Sequence, residues 1–581
     1  MKNKLNMLRL LVIPAILLSS CTSNNVVSEA KEIDVLDLDS ENLDKKQTIK
    51  ARFIKGKEYV PYISLRQYAS LYESHLADGM KSGVSRENKS LTWTIMNEEH
   101  QLYFLTQIDF ARKRVTVGGS LEATFKEGDN PIDTTSLYHG VKTEYESATS
   151  GASMFSNYNF STLNDNYFLY SGDYYLPLGF FDITYSSDSG LYYSYNYVNI
   201  YQTRDVENYA TKKFRSGNKE VTVNTEMKAN KSDSVMPKYL IDYNASLFFY
   251  LLDNLYGLKD YKQIKSAVEY CKEIKTYNAL FSEIDSTRVQ AYADTLAMLD
   301  DNHTALVSGN EAWGEQSFYM RRYGEGCINR SRLRGQLIKL RQDATSPQYC
   351  ESKEILYSDD QKTAMFLFDS FIFGSSADVF DPVTGEVKED AGLYDSYFLV
   401  LNYLKTLKQN SKVENVVLDI STNGGGVIGV LMKLLPLISK HNYGDVHYMQ
   451  GLTKQVGMSS SRVDSNEDGL YNTEDCYGDD FNIYLLTSDC SFSCGNAFPC
   501  YAQNAKDVKI IGQKSGGGEC AVGIHYLPNG EYVYHSSDLH IGYYNRNDEV
   551  FKGYEGGAEP DIKIDNYADF YDINRLASYL N

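Results

Sequence analysis

Between Phe481 and Gly518 the chain reads FNIYLLTSDCSFSCGNAFPCYAQNAKDVKIIGQKSGGG. The apolar run Ile483-Tyr-Leu-Leu-Thr487 is short enough for a buried strand. A turn of small residues follows, from Ser488 to Gly495, and then Ala497, Phe498, Tyr501 and Ala502 at helical spacing. A second apolar run, Val508-Lys-Ile-Ile511, closes the unit. Strand, tight turn and helix present a side chain at a helix N-terminus, where free amides stabilise an oxyanion. Ser493 stands at that point, so the chemistry implied is attack by a serine hydroxyl. Ser491, two residues earlier, is the alternative nucleophile.

Two further clusters could do chemistry of another kind. Asp464-Ser-Asn-Glu-Asp-Gly-Leu-Tyr-Asn-Thr-Glu-Asp475 fits a twelve-residue calcium loop. Its oxygen ligands would be Asp464, Asn466, Asp468, Asn472 and Asp475, with Gly469 at the sharp turn. An ion there would be structural, and an acidic surface loop is the plainer reading. Arg321, Arg322, Arg330, Arg332 and Arg334 form a basic run, read either as a solvated face or as a groove attracting carboxylates.

Elements that would position these residues follow from periodicity. Ala364-Met-Phe-Leu-Phe-Asp369 and Val416-Val-Leu-Asp-Ile420 read as strands, and Tyr394 to Leu407 and Val427 to Ile438 as helices. The second strand runs into Asn423-Gly-Gly-Gly426. Strands alternating with helices place residues 362–581 in the α/β class. Residues 238–305 show helical spacing through Leu240, Tyr243, Leu247, Leu251 and Leu255, and 306–361 read as a connecting segment. Residues 51–237 are rich in Tyr, Phe, Ser and Gly, with strand patterns at Gln101–Leu105 and Arg114–Gly118. Within them Glu58-Tyr-Val-Pro-Tyr-Ile-Ser-Leu65 and Asp173-Tyr-Tyr-Leu-Pro-Leu-Gly179 echo each other. The region is expected to be a β-rich accessory domain rather than a dedicated carbohydrate or cell-wall binder.

Lys2, Lys4 and Arg9 precede the apolar stretch Leu10 to Leu18, which is too short to span a bilayer. This reads as a signal peptide over residues 1–20, ending at Leu18-Ser-Ser-Cys21. Cys21 is then the expected lipidation site, residues 21–50 a tether, and the bacterial cell envelope, outside the cytoplasm, the expected location. Eight further cysteines in an oxidising compartment make some disulfides an expectation. A formal net charge of −20 argues against nucleic acid as a partner.

Three separated motifs stand together. They are Asp300-Asp-Asn-His-Thr304, Leu418-Asp-Ile-Ser-Thr-Asn-Gly-Gly-Gly426 and Thr487-Ser-Asp-Cys-Ser-Phe-Ser-Cys-Gly495, followed by Glu559-Pro-Asp561. In this order, over about residues 238–581, the chain resembles the tail-specific (C-terminal processing) serine proteases. The Ser-Lys branch of that family places a lysine where this chain has Gly518, whereas the tricorn-core and retinoid-binding-protein-like branch takes its base from an Asp-x-His-Thr motif. The resemblance therefore implies His303 as base and Ser493 as nucleophile. It implies a late glutamate, Glu555, as the group orienting the base, and the amides of Gly424, Gly425 and Cys494 as oxyanion hole. A family arginine is Ser421 here, a family glutamate is Asn496, and Pro499 should bend or shorten the helix.

The expected architecture is multidomain α+β. A β-rich N-terminal domain and a helical segment precede an α/β core of crotonase/ClpP-like type with a C-terminal β region and no PDZ domain. The expected function is a membrane-anchored serine endopeptidase acting on exported proteins or peptides, with no cofactor required for catalysis. The alternative is a catalytically inactive homologue that binds a peptide or small apolar ligand.

Overall fold

The computed structural model describes residues 27–40, 43–119, 121, 124–126, 141–147, 155–163, 166–204, 212–216, 219–308, 313, 323–450 and 456–580. The signal stretch, Cys21, Arg321 and Arg322 lie outside these residues.

The element that positions the site is a six-stranded sheet, in the order Ile355–Tyr357, Thr363–Leu367, Asn415–Asp419, Asn482–Thr487, Lys509–Gly512 and Ile562–Lys563. All neighbours from Thr363–Leu367 onward are parallel. Side chains alternate across a strand, and here both faces are buried. Ala364, Phe366, Val416, Leu418, Ile483, Leu485 and Ile510 meet the helices Ser396–Lys408, Ile428–Ile438 and Cys494–Ala505. Met365, Leu367, Val417, Tyr484, Leu486 and Ile511 meet Leu337 and Tyr349 and the terminal helix Ile573–Leu580 through Leu576. Continuous apolar runs are what a sheet covered on two sides requires. Pro499 does not end its helix, which continues to Ala505.

A seven-stranded sheet joins distant parts of the chain. Its central strand Tyr532–Asn545 pairs with Ala305–Ser308, Gly444–Gln450, Cys520–Tyr526 and Val550–Gly553. The strand Val141–Ser147, from the N-terminal region, pairs with Val456–Val463 at its edge.

The N-terminal region is β-rich as expected, with its boundary displaced. Lys31–Asp37 and Lys45–Ala51 are strands of a four-stranded sheet with Tyr192–Tyr195 and Ile200–Thr203. Residues 31–40 and 43–50 are therefore structure rather than tether, because Ile33, Val35 and Ile49 alternate inward and are buried. The two echoing segments pair with each other: Tyr62–Ser64 runs antiparallel to Asp173–Pro177, and each leads directly into a helix, Leu65–Ser70 and Leu178–Ser189. The tyrosines of this region serve its core. Tyr68, Tyr72, Tyr185 and Tyr193 are fully buried around Trp93, with Tyr68 hydroxyl against that of Tyr72 at 2.8 Å and Tyr185 against Thr106 at 2.8 Å.

The segment 306–361, read as a connection, contains the twenty-residue helix Glu325–Ala344, which packs Leu337 and Arg341 on the six-stranded sheet. One apolar cluster runs from Ile33 through the helix Lys238–Asn254 to Tyr532 and Val533. The N-terminal, helical and C-terminal parts therefore share a core. The eight described cysteines are free thiols, not disulfides.

Candidate active site

Ligand sites in open α/β sheets lie beyond the carboxyl ends of the strands. Strands Asn415–Asp419 and Asn482–Thr487 are neighbours, with Asp419 opposite Leu486, so the loops that follow them meet. One loop is Ser421–Gly426 and the other Ser488–Ser493. Asn423 locks them together. Its carbonyl accepts from the Phe492 amide at 3.0 Å, and its side-chain amide donates to Phe368 at 2.9 Å.

Ser493 caps the helix Cys494–Ala505 with φ 57° and ψ −124°, a backbone that L-residues adopt at a cost of about 1–3 kcal/mol. The turn is held in place from below. The Ser493 amide donates to Gly517 at 3.0 Å and the Gly516 amide to Ser491 at 2.8 Å. The Ser493 hydroxyl makes no capping bond to its helix. Ser491, the alternative nucleophile, is fully buried; its hydroxyl donates to Ile420 at 2.7 Å and accepts from the Ser488 amide at 3.0 Å.

The glycines approach this serine closely. A Cβ on Gly425, whose φ is +105°, would sit 2.6 Å from Ser493 Cβ and 3.0 Å from the Cys494 nitrogen. The expected oxyanion donors divide here. The Gly425 amide donates to Asn423 Oδ1 at 2.9 Å and is not free. The amides of exposed Gly424 and of Cys494 have no acceptor among the described residues. Arg334 reaches over the same turn, its Nη1 3.8 Å from a Cβ built on Gly424.

Every residue of the Asp-Asp-Asn-His-Thr motif except exposed Asn302 has a visible task. Asp300 accepts from the amides of Gly326 at 2.8 Å and Cys327 at 3.0 Å, and so caps the helix Glu325–Ala344. Asp301 accepts from the His303 amide at 3.0 Å and from the Thr304 hydroxyl at 2.6 Å. The Thr304 hydroxyl also accepts from the Ser536 amide at 3.1 Å, fixing the motif to the seven-stranded sheet. The buried His303 ring packs against Phe492, the residue before Ser493, with centroids 4.8 Å apart. Burial pulls the His303 pKa below the usual imidazole value, against the opposing pull of Asp301. Among the described residues no hydrogen bond joins His303 to the Ser493 hydroxyl, and the buried Nδ1 has no hydrogen-bond partner. Catalytic hydrogen bonds often tighten only around a substrate.

Glu555 lies in this neighbourhood with a different contact from the one expected. Its carboxylate accepts from the amides of Gly518 and Glu519, each at 3.0 Å, and makes no hydrogen bond to His303. It thereby holds the glycine turn against Phe492: a Cβ on Gly518 would lie 2.6 Å from that ring. Burial raises the Glu555 pKa, with the two amides acting against it and Asp301 adding to it.

Two residues here escaped sequence reasoning. Arg330, placed in the basic run, lies over the Phe492 ring at 4.8 Å and donates to the carbonyls of Asp489 at 2.9 Å and Gly516 at 2.8 Å. Asn496 accepts from the Ser515 hydroxyl at 2.7 Å and donates to Tyr554 at 3.0 Å, tying the helix to the turn that carries Glu555. Where the resemblance led to Ser421 instead of arginine, Arg341 brings the positive charge. It bonds Thr422 at 2.9 Å and acts on buried Asp419, which also accepts from the Ser421 hydroxyl at 2.6 Å.

In the acidic loop the side chains bond to the loop's own amides. Asp464 accepts from the amides of Asp468 and Gly469, Asp468 from that of Leu470, and Asp475 from those of Ser465, Asn466 and Asn472. Asn466 and Asn472 likewise accept from Asp468 and Glu474. The carboxylates face the loop's own amides and do not converge within ligand distance of one another.

A parallel sheet, a serine at a strained strand-to-helix turn and glycine loops packed on it suit a serine hydrolase of α/β type. Residues 396–564 match the model of Peptidase family S41, a family of serine peptidases. Among solved structures, a candidate peptidase from Parabacteroides merdae is similar at 18% identity over 58% of this chain and 95% of that one, with a TM-score of 0.39. Mature CPAF complexed with lactacystin is similar at 11% over 59% and 97% of the two chains, TM-score 0.38. The tricorn protease is similar at 10% over 96% of this chain and 63% of its own, TM-score 0.32. A comparison with curated protein sequences found no match.

Proposed function

We propose that this peptidase is a lipid-anchored endopeptidase of the bacterial cell envelope that cleaves exported proteins or peptides through an acyl-enzyme. Ser493 attacks the scissile carbonyl carbon while His303 takes its proton. The amides of Gly424 and Cys494 hold the tetrahedral oxyanion. His303 then protonates the leaving amine, and water hydrolyses the ester in a second step of the same kind. Glu555 and Asp301 act as positioning residues, the first through the Gly518 turn and the second through the backbone of His303. The observation that carries the reading is the strained Ser493 backbone at the start of its helix, with the Gly425 turn packed against the Ser493 Cβ and the His303 ring against the preceding Phe492.

The chemistry is tested by digestion of an unfolded polypeptide with the purified chain. Wild type should cleave it, and Ser493→Ala should lose about 10³-fold or more. Cleavage retained in that variant would refute the assignment. Anchoring rests on Leu10–Cys21. It is tested by mass spectrometry of the N-terminal peptide from membranes: a diacylglyceryl-modified Cys21 is expected, and an unmodified Cys21 would refute it. No helix among the described residues is long and apolar enough to cross a membrane.

A further inference from the structure

Beside the candidate base lies a cluster that the peptidase chemistry does not use. The strands Cys520–Tyr526 and Tyr532–Asn545 pair antiparallel, and their register sets Cys520 opposite His540. Between this pair and the next, Val522 with Ser536, the register shifts. Opposed residues present their side chains on one face of a sheet with Cβ atoms about 4.5–5.5 Å apart, and an irregularity of this kind re-aims them. Here Cys520 Sγ lies 3.7 Å from His540 Nδ1, and Glu519 Oε1 lies 2.7 Å from the same nitrogen. The three ligand atoms all fall within 4.8 Å of one another. Among the described residues no other group of three such side chains converges this way.

The separations suit one small cation. A zinc ion bound tetrahedrally by sulfur and nitrogen sets those atoms about 3.5 Å apart. The observed 3.7 Å is close to that. The carboxylate oxygen would need to draw back by roughly half an ångström, within reach of a side-chain torsion. The site is supported behind its ligands. Glu519 Oε2 accepts from the Glu555 amide at 2.7 Å, and the Glu519 amide donates to Glu555 Oε2 at 3.0 Å. Such outer bonds orient a ligand before the ion arrives. Cys520 and His540 are buried, and the Glu519 side chain keeps 12% of its surface open, so the cluster is enclosed except at its carboxylate.

We propose that Glu519, Cys520 and His540 bind one borderline-soft divalent cation of the Zn²⁺ class, with a water completing the tetrahedron. Thiolate and imidazole select such an ion over Ca²⁺ or Mg²⁺, which prefer oxygen ligands. Binding releases the Cys520 thiol proton to solvent, so uptake lowers the pH of a weakly buffered solution. The site is independent of whether Ser493 is the nucleophile. Because Glu519 is bonded to Glu555, an ion here would bear on the same turn that holds Phe492.

Co²⁺ and then Zn²⁺ are titrated into the full chain under a non-chelating phosphine reductant, followed by absorption and calorimetry. One Co²⁺ per chain is expected, with a thiolate-to-cobalt charge-transfer band that Zn²⁺ abolishes and that Ca²⁺ and Mg²⁺ leave unchanged. Cys520→Ser and His540→Gln should each weaken uptake by more than about tenfold. A second arm needs no variant: zinc-edge anomalous density in soaked crystals should fall between the three side chains. Absence of stoichiometric uptake, undiminished uptake in Cys520→Ser, or zinc density elsewhere would each overturn the site and leave Glu519 and His540 as a plain hydrogen-bonded pair.

Discussion

His303 is a buried imidazole packed on Phe492, and burial favours its neutral form against the pull of Asp301. A base with its pKa lowered stays unprotonated to lower pH. The sign for activity follows: kcat/KM for peptide hydrolysis should hold as pH falls through 6.5 and drop only below it. A pH–rate profile with its acid limb above 6.5 would count against His303 in this role. At this scale the sequence was most legible where chemistry dictates residue type. A serine at a strand-to-helix turn and a histidine in its motif are visible because few other residues do those tasks. Glu555 was found by resemblance, but its carboxylate bonds the Gly518 and Glu519 amides, a choice fixed by backbone that no residue pattern records. Arg330 was hidden for the opposite reason. An arginine in a charged run looks solvated until the fold lays an aromatic ring beneath it.

The glycine turn at 424–426 and the helix Glu325–Ala344 are the elements that set the geometry. Gly425→Ala would place a methyl 2.6 Å from Ser493 Cβ at a φ that side chains disfavour. Displacements of about 1 Å at a reacting group cost about 10²-fold, so a loss of that order in kcat is expected with the far-UV spectrum unchanged. A variant of wild-type kcat would show that the turn can relax. Asp300→Ala removes the acceptor for two amides at the start of the long helix. Losing such a cap costs about 1 kcal/mol, so amide exchange at Gly326 and Cys327 should accelerate about fivefold. Unchanged exchange there would mean that other groups secure the helix end. The strands and helices of the core were readable because their apolar runs are covered on both faces. The long helix was not, since only Leu337 and Arg341 are fully buried along it and charged residues are interleaved with its other apolar positions. Charge and low periodicity concealed an element that delivers Arg330 to the site.

Across the whole molecule, one apolar cluster welds the N-terminal strands, the helical lobe and the C-terminal sheet. Sequence composition marked a β-rich region but not that its core is shared, because pairings such as Val141–Ser147 with Val456–Val463 span more than 300 positions. Asp182 sits at this junction beside a small cavity lined by Tyr59, Tyr193, Tyr243, Tyr526 and Pro528. Burial raises its pKa from 3.8 to about 7, with the Tyr193 amide acting against the shift. The folded chain therefore holds a proton that the unfolded chain releases, and stability from this group is lost as pH rises from 3.8 through about 7. The full shift corresponds to about 4 kcal/mol at neutral pH and above. Asp182→Asn keeps the acceptor and cannot ionise. Relative to wild type it should be more favourable at pH 8 than at pH 5 in denaturant unfolding, and a pH-independent difference would contradict the buried charge.

The central claim is that Ser493 is an activated nucleophile, and reaction with a fluorophosphonate tests it most directly. Peptide mapping of the labelled wild-type chain should find the adduct on Ser493. Labelling should vanish in Ser493→Ala, slow severely in His303→Ala and persist in Ser491→Ala. An adduct on another residue, or a wild-type chain that does not react, would contradict it.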